Sequence, residues 1–121
     1  MQTHNFEKLV VWQKSMDLVT EVYSITKLFP KDELYGLTSQ MRRAVISVPS
    51  NIAEGCRRRT TKDFNHFLTI SFGSGAELET QLQISKRLGY LPQSQYSPIS
   101  SQLQEVMRML NGLISSLPTT D

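Results

Sequence analysis

Six cations crowd the segment from Met41 to Lys62, where Arg42, Arg43, Arg57, Arg58, Arg59 and Lys62 face Glu54 as the only carboxylate. Guanidinium forks match phosphate oxygens in spacing and charge, so such a cluster can hold the backbone of RNA or DNA. A plainer role is also open to Arg57, Arg58 and Arg59. They precede a turn, and cations at the negative end of a helix contribute about 0.3–1 kcal/mol each. No stacking platform of aromatic residues is apparent beside them, which makes the expected binding backbone-directed and salt-sensitive.

Other residues invite chemistry less strongly. Glu54 and Glu77 are conceivable as an acid/base pair, but such work needs a concave site and shifted pKa values, and salt bridges with Arg43 or Arg57 are the expected use. His4 lies near the start and His66 on the polar side of a helix, and with one cysteine there is no ligand set for a structural or catalytic zinc. Cys56 continues an apolar stripe, so it reads as a small buried hydrophobe. No catalytic triad and no cofactor motif is present, and no enzymatic activity is expected.

These side chains need helices to position them. Leu9, Trp12, Met16, Val19, Tyr23 and Thr26 recur at helical spacing, predicting helix 1 over about 7–28, ended by Phe29-Pro30. Val11, Leu18, Val22, Ile25 and Phe29 form a second apolar line beside the first. Together they cover over half the circumference, wider than the roughly 100° a surface helix normally buries; self-association is the natural explanation, and a deeply seated helix is the alternative. Asp32 can cap helix 2, expected over about 33–57, in which Leu34, Leu37, Met41, Ala44, Val45, Val48, Ile52 and Cys56 share one side. Pro49 interrupts that helix and predicts a kink, because it lacks a donor for the carbonyl of Val45. Asn51 can then bond the released carbonyls or a neighbouring helix.

Helix 3, about 61–88, is capped by Thr60 or Thr61 and stopped at Gly89; its stripe is Phe64, Leu68, Ser71, Gly75, Leu78 and Leu82. Gly73 and Gly75 each cost about 0.8–1 kcal/mol in an exposed helix interior, so close approach of a facing helix is expected, at Ala44 or Ala53 of helix 2. Pro92 and Pro98 bracket a polar loop before helix 4, about 98–117. The expected fold is all-α, an antiparallel up-and-down four-helix bundle.

Composition fits that fold. The 121 residues suit one domain, and thirteen Lys and Arg against eleven Asp and Glu leave a net charge of +2, too small by itself to establish nucleic-acid binding. A single cysteine, no basic and apolar leader, and no apolar run of roughly 20 residues point to a cytoplasmic protein with no membrane span.

The run Gln40 to Gly55, above all Ser-Asn-Ile-Ala-Glu-Gly, joins Leu37-Thr38-Ser39, Gly73-Ser74-Gly75-Ala76-Glu77-Leu78 and Leu88-Gly89-Tyr90-Leu91 in a wider resemblance. From about Phe6 to Leu91 the chain resembles the four-helix-bundle family encoded in bacterial 23S ribosomal RNA intervening sequences (S23-like). That family is similar to the accessory variability proteins of diversity-generating retroelements. The resemblance implies a homo-oligomer, a pentamer by analogy, with nucleic acid and a reverse transcriptase as possible partners. The combined expectation is a non-catalytic oligomeric adaptor that contacts structured RNA or DNA through the basic cluster. A purely protein-binding or architectural oligomer is the alternative.

Overall fold

Helix α2 (Leu37–Cys56) and helix α3 (Thr61–Arg87) run antiparallel, joined by a short turn. Their seam is narrow because small residues line it. Ser71 Oγ donates to the Val48 carbonyl at 2.8 Å, the Ser47 and Ser74 hydroxyls meet at 2.8 Å, and Ser85 Oγ reaches Met41 Sδ at 3.4 Å. These cross-helix contacts set the register. Helix α1 (Val10–Thr26) packs on α2, and α4 (Gln93–Ser116) on α3 and α1, closing an all-α four-helix bundle.

A computed structural model describes residues 5–118 of this chain; His4 lies outside them. Among the described residues there is no strand. The core is the expected apolar set, with Leu18, Met41, Val45, Ile52, Leu68, Leu78, Leu82, Leu103 and Leu110 essentially inaccessible. The stripe of α3 falls inside as its spacing predicts, and that of α2 does so from Met41 to Cys56, whereas Leu37 is half-buried and Leu34, which precedes the helix, is exposed. In α1 the inner line is Val11, Leu18 and Val22, whereas Trp12 and Val19 are half-buried and Met16 is exposed.

Several boundaries differ from expectation. Helix 1 does not start at 7: Asn5 Oδ1 accepts from the Glu7 amide at 3.2 Å, a 3₁₀ turn covers Phe6–Lys8, and extended Leu9 separates it from α1. A capping asparagine followed by an extended residue makes its own turn. α2 begins at Leu37 because a 3₁₀ turn follows Pro30 over Lys31–Glu33. Glu33 does the capping expected of Asp32, its Oε1 accepting from the Leu37 amide at 3.2 Å. α4 starts at Gln93, so Pro98 lies inside the helix and not at its head. Pro92 accepts from the amides of Gln95 and Tyr96 at 2.9 Å, and Pro98 leaves only a carbonyl near the exposed first turn without a donor.

α2 continues through buried Pro49 without a break. Asn51 does not bond the carbonyl that Pro49 releases. Its Nδ2 donates to the carbonyl and hydroxyl of Ser47, both at 2.8 Å. The stops of α3 are as read: Thr60 Oγ1 accepts from the Asp63 amide, and Gly89 adopts φ 79° so that the Tyr90 amide reaches the Ser85 carbonyl at 3.0 Å.

The two glycines of α3 prove different. Gly75 is buried against Met107 of α4, not against α2, and a Cβ there would collide with the Met107 sulfur. Gly73 is exposed, with nothing within 4 Å of an added Cβ. Gly73→Ala is therefore expected to stabilise the fold by about 0.5–1 kcal/mol, while Gly75→Leu overpacks the α3–α4 contact and costs about 1–3 kcal/mol. Denaturant unfolding of the two variants checks this opposition in sign.

Candidate phosphate-binding surface

The end of α2 is shaped by Gly55. A Cβ there would stand 3.0 Å from Phe64 Cδ1 and 3.1 Å from Phe67 Cβ, so any larger residue would have to push the first turns of α3 away by a few tenths of an ångström. The chain must then reverse between Arg57 and Thr60. The amides of Arg57 and Arg58 bond back to the carbonyls of Glu54 and Gly55, and the four side chains Arg57, Arg58, Arg59 and Lys62 all emerge exposed at one end of the bundle.

Two of them rest on aromatic rings. The Arg57 guanidinium lies 5.3 Å from the Phe6 ring centroid, and that of Arg58 lies 4.7 Å from Phe67. Arg58 also pairs with Glu54 at 3.3 Å; with both side chains about half exposed, this i,i+4 pair contributes about 0.3–0.5 kcal/mol. Arg59 and Lys62 have no ion pair among the described residues. Phe6 and Phe67 thus lie beside two guanidinium groups whose side chains remain exposed to solvent. Sequence spacing hid these rings: Phe6 arrives from the far end of the chain and Phe67 from one turn into α3. His66 is exposed and meets Phe67 edge-on, with centroids 5.3 Å apart.

The rest of the basic segment is elsewhere. Arg42 precedes Arg57 by fifteen residues, about 22 Å along the helix axis. Its Nε donates to Thr26 Oγ1 at 3.0 Å and its guanidinium lies 4.5 Å from the Tyr23 ring, so it clamps α2 to α1. Arg43, its neighbour, is exposed and lines a cleft with Glu77. Glu54 and Glu77 are not brought together: Glu54 belongs to the arginine turn, and Glu77 lies toward the level of Ala44, about 15 Å away along the seam. Among the described residues, no group of three or more His, Cys, Asp or Glu side chains could hold a metal ion. No described helix is long and apolar enough to cross a membrane.

A second surface adjoins this end. Phe6, Trp12, Met16 and Val19 of the α1 side face Ile46, Pro49 and Ala53 of α2 across a largely apolar groove of about 310 Å³. Pro49 thus serves the outer wall of the bundle.

A family model of the 23S rRNA-intervening sequence protein matches residues 7–112. The chain belongs to that family. A 23S rRNA-intervening sequence protein fold is also seen in a crystal structure of a protein with unknown function from the S23 ribosomal protein family of Bacteroides thetaiotaomicron VPI-5482. The two chains share 24% identity, with a TM-score of 0.82 over 88% of this chain and 96% of that one, a likeness of fold. Comparison with curated proteins finds no match.

Within this intervening-sequence protein, Cys56 is fully buried beside the arginine turn, and burial pushes its thiol up from 9.0, opposed only in part by the Arg57 charge. It behaves as a packing residue. A thiol reagent at neutral pH is expected to leave native protein unlabelled and to react with one equivalent on unfolding; rapid native labelling would contradict the placement.

Proposed function

We propose that this protein is a non-catalytic, homo-oligomeric adaptor that binds the phosphate backbone of structured RNA or DNA through Arg57, Arg58, Arg59 and Lys62. The observation that carries the reading is the convergence of these four exposed cations on one turn, with a carboxylate partner for Arg58 alone. Arginines beside phenylalanine offer planar forks to phosphate oxygens, and a guanidinium plane can also take an unpaired base. Arg42 and Arg43 are not needed for this surface.

Self-association supports the same reading. The groove between α1 and α2 leaves Trp12, Met16 and Ile46 partly open to solvent, and the exposed line of α1 is the surplus apolar arc that the sequence carries. Cyclic symmetry would repeat the arginine turn around one rim, so that contacts too weak singly act together. The number five rests on the resemblance to the retroelement accessory proteins, as does a reverse transcriptase as a further partner.

Electrophoretic mobility or anisotropy with a structured RNA and a duplex DNA, titrated from low to high salt, tests the proposal. Affinity is expected to fall steeply with salt, and Arg57→Ser, Arg58→Ser and Arg59→Ser together should reduce the log–log slope for a duplex by about three per bound subunit. Retention of an unchanged slope in the triple variant, or no binding at low salt, would refute it in favour of a protein-binding scaffold.

A further inference from the structure

Across the α2–α3 seam, away from the arginine turn, lies a polar cleft of about 290 Å³ lined by Gln40, Arg43, Ala44, Ser47, Ser74 and Glu77. It exists because the residues on its floor are small. Ala44, Ser47 and Ser74 leave room between the helices that longer side chains would fill, and the Ser47–Ser74 hydrogen bond closes the bottom at 2.8 Å. Asn51 braces that floor from one turn away through its two bonds to Ser47. The sequence blocks Gln40–Gly55 and Gly73–Leu78 therefore meet here, in a feature that phosphate binding does not use.

Its charges are arranged for a ligand rather than for each other. Arg43 and Glu77 both line the cleft, yet neither has an ion pair within 4.0 Å among the described residues. The guanidinium can take a carboxylate in a forked pair, the Glu77 carboxylate can take an ammonium, and the serine hydroxyls and the Gln40 amide can both donate and accept. Ala44 is the only apolar lining residue, which disfavours a large hydrophobic substituent. The volume stands at the low end of small-molecule sites, roughly 300–1,000 Å³. A dianionic phosphate would meet Glu77 with like charge, whereas a zwitterion satisfies both ends.

We propose that this cleft binds a small polar α-amino acid, its carboxylate on Arg43 and its ammonium on Glu77. The inference is independent of the nucleic-acid reading. Saturation-transfer difference NMR on the intact protein, with serine and glycine as probes and acetate and methylammonium as half-ligand controls, tests it. Serine or glycine is expected to give transfer that saturates with a Kd of about 0.1–10 mM. Arg43→Gln and Glu77→Gln, both exposed positions that should leave the fold intact, should each weaken binding about tenfold, and neither control should compete at equal concentration. The triple arginine-turn variant should bind serine as the wild type does. No saturable transfer from either amino acid, or transfer unchanged in both charge variants, would overturn the proposal. So would charge variants that alter the mass of the assembly while the wild type ignores both probes, since Arg43 and Glu77 would then be joining subunits.

Discussion

The close antiparallel seam between α2 and α3 is the constraint on which the other features depend. Gly55 lets Phe64 and Phe67 approach, Ser71 ties itself to the Val48 carbonyl, Ser47 meets Ser74, and Ser85 reaches Met41. Each contact has a glycine or a serine on at least one side, so the register tolerates little slippage. A buried hydroxyl left without its acceptor costs about 1–3 kcal/mol, which penalises every alternative alignment of the two helices. With the register fixed, the chain has to reverse tightly at Arg57–Thr60, and the arginines are forced outward at the end of the bundle. The same small residues that permit close packing near Gly55 leave a cleft near Ala44, where the neighbouring side chains are polar and extend toward solvent.

The remaining helices divide the surface. α1 gives its Val11, Leu18 and Val22 line to the core and turns Trp12, Met16 and Val19 outward beside Ile46 and Pro49. Burying apolar surface is worth roughly 25 cal/mol per Å², so a second copy covering this groove would gain more than any exposed ion pair on the molecule offers. Arg42 and Tyr23 close the other end of the α1–α2 contact, and Lys14 reaches Glu105 of α4 at 3.2 Å. The arginine turn, the α2–α3 cleft and the α1–α2 groove are three regions of the surface, and the turn and the groove share Phe6, which lies beside Arg57 and lines the groove.

Periodicity carried most of the fold. The stripes of α2 and α3 are legible because they recur every three or four positions, and the Thr60 cap and Gly89 stop follow from their side-chain chemistry. Helix starts were harder to read, since Asn5 and Glu33 as capping groups and Pro98 inside a first turn each depend on local competition for amide donors. At the candidate site, Arg57, Arg58, Arg59 and Lys62 were recognisable as a cluster. Linear proximity overstated it for Arg42 and Arg43, because one helix carries them about 20 Å from the turn. Phe6 and Phe67 under the guanidinium groups were hidden for the opposite reason, as tertiary packing brings distant segments together. A glycine in mid-helix signals close approach but does not name the neighbour: Gly75 meets α4, Gly73 meets nothing, and Gly55 meets α3.

Sedimentation equilibrium of the wild type beside Ile46→Glu, a change in the open wall of the α1–α2 groove, tests most directly whether this bundle is a self-assembling carrier of a repeated basic turn. The account predicts a wild-type mass that is a whole multiple of 13.8 kDa greater than one, with the variant shifted toward 13.8 kDa while its helical content is retained. A wild type that sediments as a 13.8 kDa monomer would contradict it.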